Sequence, residues 1–148
     1  DLAAAVRDAI EEVSSQDLDD LKVHMETDLP QAIFSADGVR MVVINLIENA
    51  RKYAPTATGD EPLEIRLARS KSRVVLEVSD RGPGIQKSDH KRVLEPFLRL
   101  GDETTREAIG TGLGLHLVAL YARAMKARLE LVERPGGGLT VRLGFRRA

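Results

Sequence analysis

Two short runs, Leu63–Arg69 and Arg73–Ser79, are separated only by Ser70–Ser72. Leu63, Ile65 and Leu67 in the first run, and Val74, Leu76 and Val78 in the second, recur every two residues. That period puts one face of a strand into a core, and so short a connection joins only antiparallel neighbours. Any fold for this chain must therefore contain a hairpin. Leu129–Glu133 and Leu139–Phe145 predict a second hairpin around Pro135-Gly136-Gly137-Gly138. Upstream, Leu21, Val23 and Met25 alternate with Lys22, His24 and Glu26, which predicts a strand, and Ile33–Phe34 predicts a short further one.

Helical periodicity fills the spaces between these strands. Leu2, Val6, Ile10 and Val13 make one apolar stripe within residues 2–15, ahead of an acidic loop over Gln16 to Asp20. A helix is expected from about 38 to 53, capped by Ser35 or Asp37, with Val39, Val42, Val43, Leu46, Ile47 and Ala50 facing the core. Residues 55–62 read as a loop, Ser88–Leu94 as a short helix, and a long helix is expected from Gly112 through Met125. This order, mixing helix–strand pieces with antiparallel pairs, predicts an α+β two-layer sandwich: one mixed, mostly antiparallel sheet with helices on one face. At 148 residues without an internal repeat or linker, the chain is expected to be one domain over 1–148.

Composition narrows the function. No cysteine is present, which excludes a disulfide scaffold and a thiolate metal site. No apolar run approaches the roughly 20 residues that span a bilayer, and residues 1–30 lack the basic start and apolar segment of a secretory signal. A cytoplasmic domain with no direct membrane contact is expected. The net charge of −1 hides a net −7 on residues 1–30 and +6 on the rest. The bases are scattered and only five residues are aromatic, so the basic stripe and stacking platforms of a nucleic-acid binder are missing.

Three segments carry residues suited to chemistry. On the helix ending near Tyr53, Asn45, Asn49 and Lys52 fall at i, i+4 and i+7 and share a face away from the apolar stripe, flanked by Glu48 and Tyr53. Asparagine is a poor interior helix former. Its amide oxygen is a hard ligand suited to Mg²⁺, and a lysine suits phosphate. The same pattern fits an ordinary solvated face. Asp80-Arg81-Gly82-Pro83-Gly84-Ile85 follows a strand directly: its glycines permit close backbone approach, and its carboxylate could select an exocyclic amino group. A plain turn would use the same residues. Gly110-Thr111-Gly112-Leu113-Gly114-Leu115 opens the long helix, where free N–H groups and the helix dipole favour an anion. It is neither a Walker loop nor the dinucleotide fingerprint, because no Gly-Lys-Ser/Thr follows and Leu115 stands where a third glycine belongs.

Read in chain order, Asn45-Leu46-Ile47-Glu48-Asn49-Ala50-Arg51-Lys52-Tyr53, Asp80-Arg81-Gly82-Pro83-Gly84-Ile85, Glu95-Pro96-Phe97-Leu98-Arg99 and Gly110-Thr111-Gly112-Leu113-Gly114-Leu115 resemble the N, G1, F and G2 boxes of sensor histidine kinases. The resemblance is dense over about 37–118. It implies the ATP-binding (Bergerat) sandwich shared with gyrase, Hsp90 and the mismatch-repair ATPases, with ATP and Mg²⁺ as ligands. Asn49 would ligate Mg²⁺ with Asn45 supporting it, Lys52 would contact phosphate, and Tyr53 would lie against the nucleoside. Asp80 would bond the adenine amino group in a pocket shaped by Gly82, Gly84 and Ile85. Gly110, Thr111, Gly112, Leu113, Gly114 and Leu115 would bind phosphate and hinge an ATP lid over about 98–109, anchored by Phe97, with Arg99 reaching the phosphates on closure.

The resemblance also separates subclasses. Relatives that hydrolyse ATP place a general-base glutamate where Asn45 stands, and an amide cannot take a proton from water at pH 7. Glu48 is a nearby carboxylate, but it lies about 60° around the helix from Asn45. ATP would instead be held for a phosphoryl acceptor: a histidine on a separate dimerisation domain, with a response regulator downstream. His24, His90 and His116 lack the sequence context of such an acceptor and read as surface or packing residues. The alternatives are a serine-directed kinase of the same fold and a non-catalytic ATP-binding module. One departure concerns the Gly-Gly pair that often ends the last helix of the family. It reads Lys126-Ala127 here, which puts the turn geometry there in question.

Overall fold

The computed structural model describes residues 1–13, 21–53, 63–95 and 113–148, and at Lys52, Tyr53 and Leu113 it describes the backbone alone. Chain order is α1 (Leu2–Val13), β1 (Leu21–Met25), α2 (Ala36–Tyr53), β2 (Leu63–Arg69), β3 (Arg73–Ser79), α3 (Leu113–Ala124), β4 (Arg128–Glu133) and β5 (Leu139–Arg146). One five-stranded sheet runs β1-β2-β3-β5-β4. Among the described strands only β1 and β2 are parallel, with α2 between them in sequence. The other pairings are antiparallel. The mixed, mostly antiparallel sheet with a helical layer agrees with the expected α+β sandwich.

Register explains the two layers. Ile65 pairs with Val78 and Leu67 with Leu76, while β3 continues Val78 to Val141, Leu76 to Leu143 and Val74 to Phe145. These inward side chains are buried with Val6, Val39, Val42, Val43, Leu46, Ile47 and Val118 of the helices. The same pairing aligns Glu77, Arg142 and Glu130 on the alternate face. Arg142 Nε donates to Glu77 Oε1 at 2.7 Å, and Arg128 lies 2.9 Å from Glu130. That face is an ion-pair ladder and the inner one is hydrocarbon, so a slip of one residue would bury charge.

Caps set the helices. Asp1 Oδ1 accepts the Ala4 N–H at 3.3 Å at the start of α1, and Ser35 Oγ accepts the Gly38 N–H at 3.2 Å at the start of α2. The second cap starts α2 at Ala36, two residues before the expected position. Arg40 clasps Glu12 through Nε and Nη2 at 2.6 and 2.5 Å, joining α2 to α1.

Two local expectations change, and one open point is answered. Ile33–Phe34 forms no strand: Ala32 makes an isolated bridge to Arg147, and Ile33 N–H donates to Arg146 O at 2.8 Å. This segment meets the sheet at a single bridge, and Phe34 turns toward the core instead of continuing a ladder. Ser88–Leu94 is two 3₁₀ turns, Lys87–Asp89 and Arg92–Leu94, not one helix. Val93 alone is buried there, so no apolar stripe holds a full α-helix. At the end of α3, where Lys126-Ala127 put the turn geometry in question, a cap forms without glycine. Ala127 N–H bonds Ala122 O at 2.8 Å and Lys126 N–H bonds Arg123 O at 3.0 Å, while Lys126 takes φ of 54°. This is a Schellman cap with lysine in the left-handed position. No helix among the described residues is long and apolar enough to cross a membrane.

Candidate functional site

Asp80 stands one residue beyond β3 and is held almost entirely by backbone. Its N–H donates to Leu139 O at 2.9 Å, and its Oδ1 accepts N–H groups from Gly82 at 2.9 Å and Leu139 at 3.2 Å. All bonds to the carboxylate among the described residues fall on Oδ1, so Oδ2 remains an acceptor for an outside donor. Gly138 makes this approach possible. At φ of 104°, a Cβ there would lie 2.8 Å from Asp80 C, 3.0 Å from Arg81 Cα and closer still to Asp80 O.

The loop after Asp80 turns on Gly84, whose φ is 71° and whose Cα side faces Gly138 O. Arg81 fastens it to the opposing turn by donating from Nη1 to Pro135 O at 2.5 Å and Gly137 O at 3.0 Å. Ile85 packs on the core, and its carbonyl lies 2.8 Å from His90 Nε2. The imidazole thus ties the loop to the 3₁₀ segment. Gly138 and His90 were missing from the sequence-based site. The unbroken Gly136-Gly137-Gly138 run, longer than a hairpin needs, was the available signal for the first.

Asn45, Glu48 and Asn49 lie on α2 beside its buried stripe. Asn45 Nδ2 donates back to Met41 O at 2.7 Å, so its amide nitrogen is engaged by the helix. Glu48 is exposed. Asn49 is half-buried and its amide rests on Gly114: a Cβ on that glycine would lie 2.5 Å from Asn49 Oδ1 and 2.7 Å from Cγ. Gly114 is the second residue of α3, and Leu115 beside it packs on the core. The structure thus brings the asparagine helix and the start of α3 into contact, and brings Asp80, Gly82 and Gly84 together at the end of β3. Phe97, Arg99, Gly110, Thr111, Gly112 and the expected lid over about 98–109 lie outside the described residues. So do the loops at 16–20 and 55–62.

No cluster of three or more His, Cys, Asp or Glu side chains suited to a metal occurs among the described residues. Asn49 offers one neutral oxygen, and it makes no hydrogen bond among those residues. That donor set fits Mg²⁺ in its usual nucleotide role, where phosphate oxygens and water supply most of the shell and the protein adds a ligand or two.

A family model, the histidine kinase-, DNA gyrase B- and HSP90-like ATPases, matches residues 35–148. Sensor protein KdpD of Mycobacterium tuberculosis is 34% identical over 119 residues, covering 79% of this chain and 13% of that protein. Sensor-like histidine kinase SenX3 of Mycolicibacterium smegmatis is 34% identical over 132 residues, covering 86% of this chain and 33% of that protein. Among solved structures, full-length ShkA in complex with AMPPNP superposes at a TM-score of 0.74 and 23% identity, covering 100% of this chain and 31% of that one. The chain belongs to the histidine kinase-, DNA gyrase B- and HSP90-like ATPase family, and within it to the catalytic ATP-binding domains of sensor histidine kinases. It spans a third or less of the length of those two curated relatives.

Proposed function

We propose that residues 1–148 act as one catalytic domain that binds Mg-ATP and delivers its γ-phosphoryl group to a histidine on a separate dimerisation and phosphoacceptor domain. The observation that carries this is Asp80: a carboxylate with one oxygen saturated by backbone N–H groups and the other left to accept the amino group of adenine. The AMPPNP complex of ShkA and the sensor-kinase relatives support the reading.

The residues divide the work by position. Asp80, with Gly82, Gly84 and Ile85, selects the base, and Tyr53 lies against the nucleoside. Lys52 neutralises phosphate charge, and the Gly110–Leu115 segment offers N–H donors to phosphate oxygens. Asn49 would hold Mg²⁺, which when bound supplies charge neutralisation on the phosphates, and Asn45 supports that face. Arg99 and Phe97 serve lid closure over about 98–109. In the transfer an N–P bond forms at the acceptor imidazole as the β,γ-bridging P–O bond breaks, and ADP leaves with the electron pair. The protein contributes alignment and electrostatics more than proton chemistry. Asn45 cannot act as a base toward water, so hydrolysis is slow, and Glu48 is a secondary candidate for base work. The downstream partner is a response regulator, and the compartment is the cytoplasm.

The test is to mix the chain with its cognate dimerisation domain and γ-labelled ATP and follow the label. Acid-labile label on the partner is the expected result. Acid-stable label would instead support a serine-directed kinase, and absence of label a nucleotide-binding module.

A further inference from the structure

We propose that Gly114 is a positioning residue for Asn49: its missing side chain, not its flexibility, seats the Asn49 amide at the phosphate end of the site. The proposal rests on the ATP-binding reading above and adds to it a specific dependence between two helices.

The argument begins with why residue 114 is glycine. It lies inside the first turn of α3 and is not among the glycines with positive φ, so its backbone conformation suits any residue. Helix propensity alone would favour alanine. Donation of the backbone N–H to a phosphate would not need glycine either, because alanine keeps that group. The space a Cβ would occupy is taken by the Asn49 amide, at 2.5 Å from Oδ1, 2.7 Å from Cγ and nearer still to Nδ2. Real Cβ contacts are essentially never under 3.0 Å, so one partner must move.

The group that moves is the amide. It is the far end of a side chain with two torsions, whereas Cα of residue 114 is fixed by a helix packed on α2. On a helix, χ1 has only two comfortable wells. A Cβ at 114 closes the one that lays the amide over the first turn of α3 and leaves the other, which points elsewhere. The fold survives, and the oxygen is re-aimed.

Three variants of the full chain, Gly114→Ala, Asn49→Ala and the double variant, test this by calorimetry with AMPPNP, in Mg²⁺ and in EDTA. Gly114→Ala is expected to keep its melting temperature. It should lose the Mg²⁺-dependent gain by on the order of 10-fold, the scale of losing a group that orients a metal ligand. The double variant should be no worse than Asn49→Ala, because both remove one feature. Without nucleotide, the Asn49 side-chain amide resonances should shift in Gly114→Ala.

If Asn49→Ala loses the Mg²⁺-dependent gain and Gly114→Ala does not, the seating role falls and the ATP-binding reading stands. If Asn49→Ala retains it, both the metal role of Asn49 and the seating role fall. If Gly114→Ala fails to fold, the double variant must restore folding, since the clash is then absent. A double variant that also fails to fold overturns the proposal.

Discussion

Asp80 and Asn49 mark the two ends of the proposed nucleotide site, and they are held by different physics. Asp80 is locked by peptide groups: three bonds to Leu139 and Gly82, where the chain leaving β3 meets the start of β5. Asn49 is placed by shape, its amide lying where Gly114 has no side chain. Backbone bonds do not depend on neighbouring side-chain identity, provided the chain can approach closely. A steric seat depends on a single methyl group. The base end is therefore expected to tolerate side-chain change while breaking on any change that blocks backbone approach. The phosphate end should do the reverse, keeping its fold and losing its aim.

The largest effect that would break this contrast is expected at Gly138. Gly138→Ala places a Cβ against the Asp80 carbonyl group at a φ of 104° that alanine avoids. Urea denaturation should register a loss of about 3 kcal/mol or more. A loss below about 1 kcal/mol would mean that the β5 backbone does not lock Asp80. Asp80→Asn sharpens the same end. Asparagine Oδ1 can still accept the Gly82 and Leu139 N–H groups, so stability should change by no more than about 1 kcal/mol. Its NH₂, however, faces a donor on the base, and AMPPNP affinity should fall roughly 10- to 100-fold, the scale of an unpaired buried donor. Parallel losses of stability and binding would show that the two carboxylate oxygens do not have separate tasks.

Smaller effects lie away from the ligand. Lys126→Gly relieves the φ of 54° at the end of α3 and should stabilise the chain by about 0.5–1 kcal/mol in thermal or urea unfolding. Unchanged nucleotide affinity would confirm that the far end of α3 is independent of its Gly114 end. The smallest effect concerns pH. The Arg69 backbone N–H donates to Glu26 Oε2 at 2.9 Å and holds that carboxyl below its usual 4.5, and Arg40 does the same for Glu12. A carboxyl lowered in the folded state contributes stability above its unfolded value, and that contribution is lost as pH falls through the folded value. The melting-temperature difference between parent and Glu26→Gln should therefore be present at pH 7 and shrink below pH 4.5. A difference that persists unchanged at lower pH would mean the carboxylate charge is not what Arg69 recognises.

Much of this was legible beforehand. The two-residue period of Leu63–Arg69 and Arg73–Ser79 predicted strands with the observed bounds, and the α2 stripe predicted its buried residues. Where local signals were weak, the reading erred. Ile33–Phe34 had β-forming residues but no second partner strand to continue a ladder. Ser88–Leu94 had helix-compatible residues but only Val93 to bury. Lys126 occupies a position where glycine is easier, because the two cap bonds and the packing of α3 outweigh the strain of one lysine.

The sequence by itself determined the main helices and strands, which of their faces are apolar, and which four motifs stand in which order. These follow from periodicity and residue chemistry over short stretches of chain. Only the tertiary structure decided that β5 enters between β3 and β4, that Gly138 lies against Asp80, and that Gly114 leaves room for Asn49. These contacts join segments 58 and 65 residues apart. No local pattern encodes which glycine will meet which polar group. That is set when the shared core of helices and sheet closes and leaves each backbone one close neighbour.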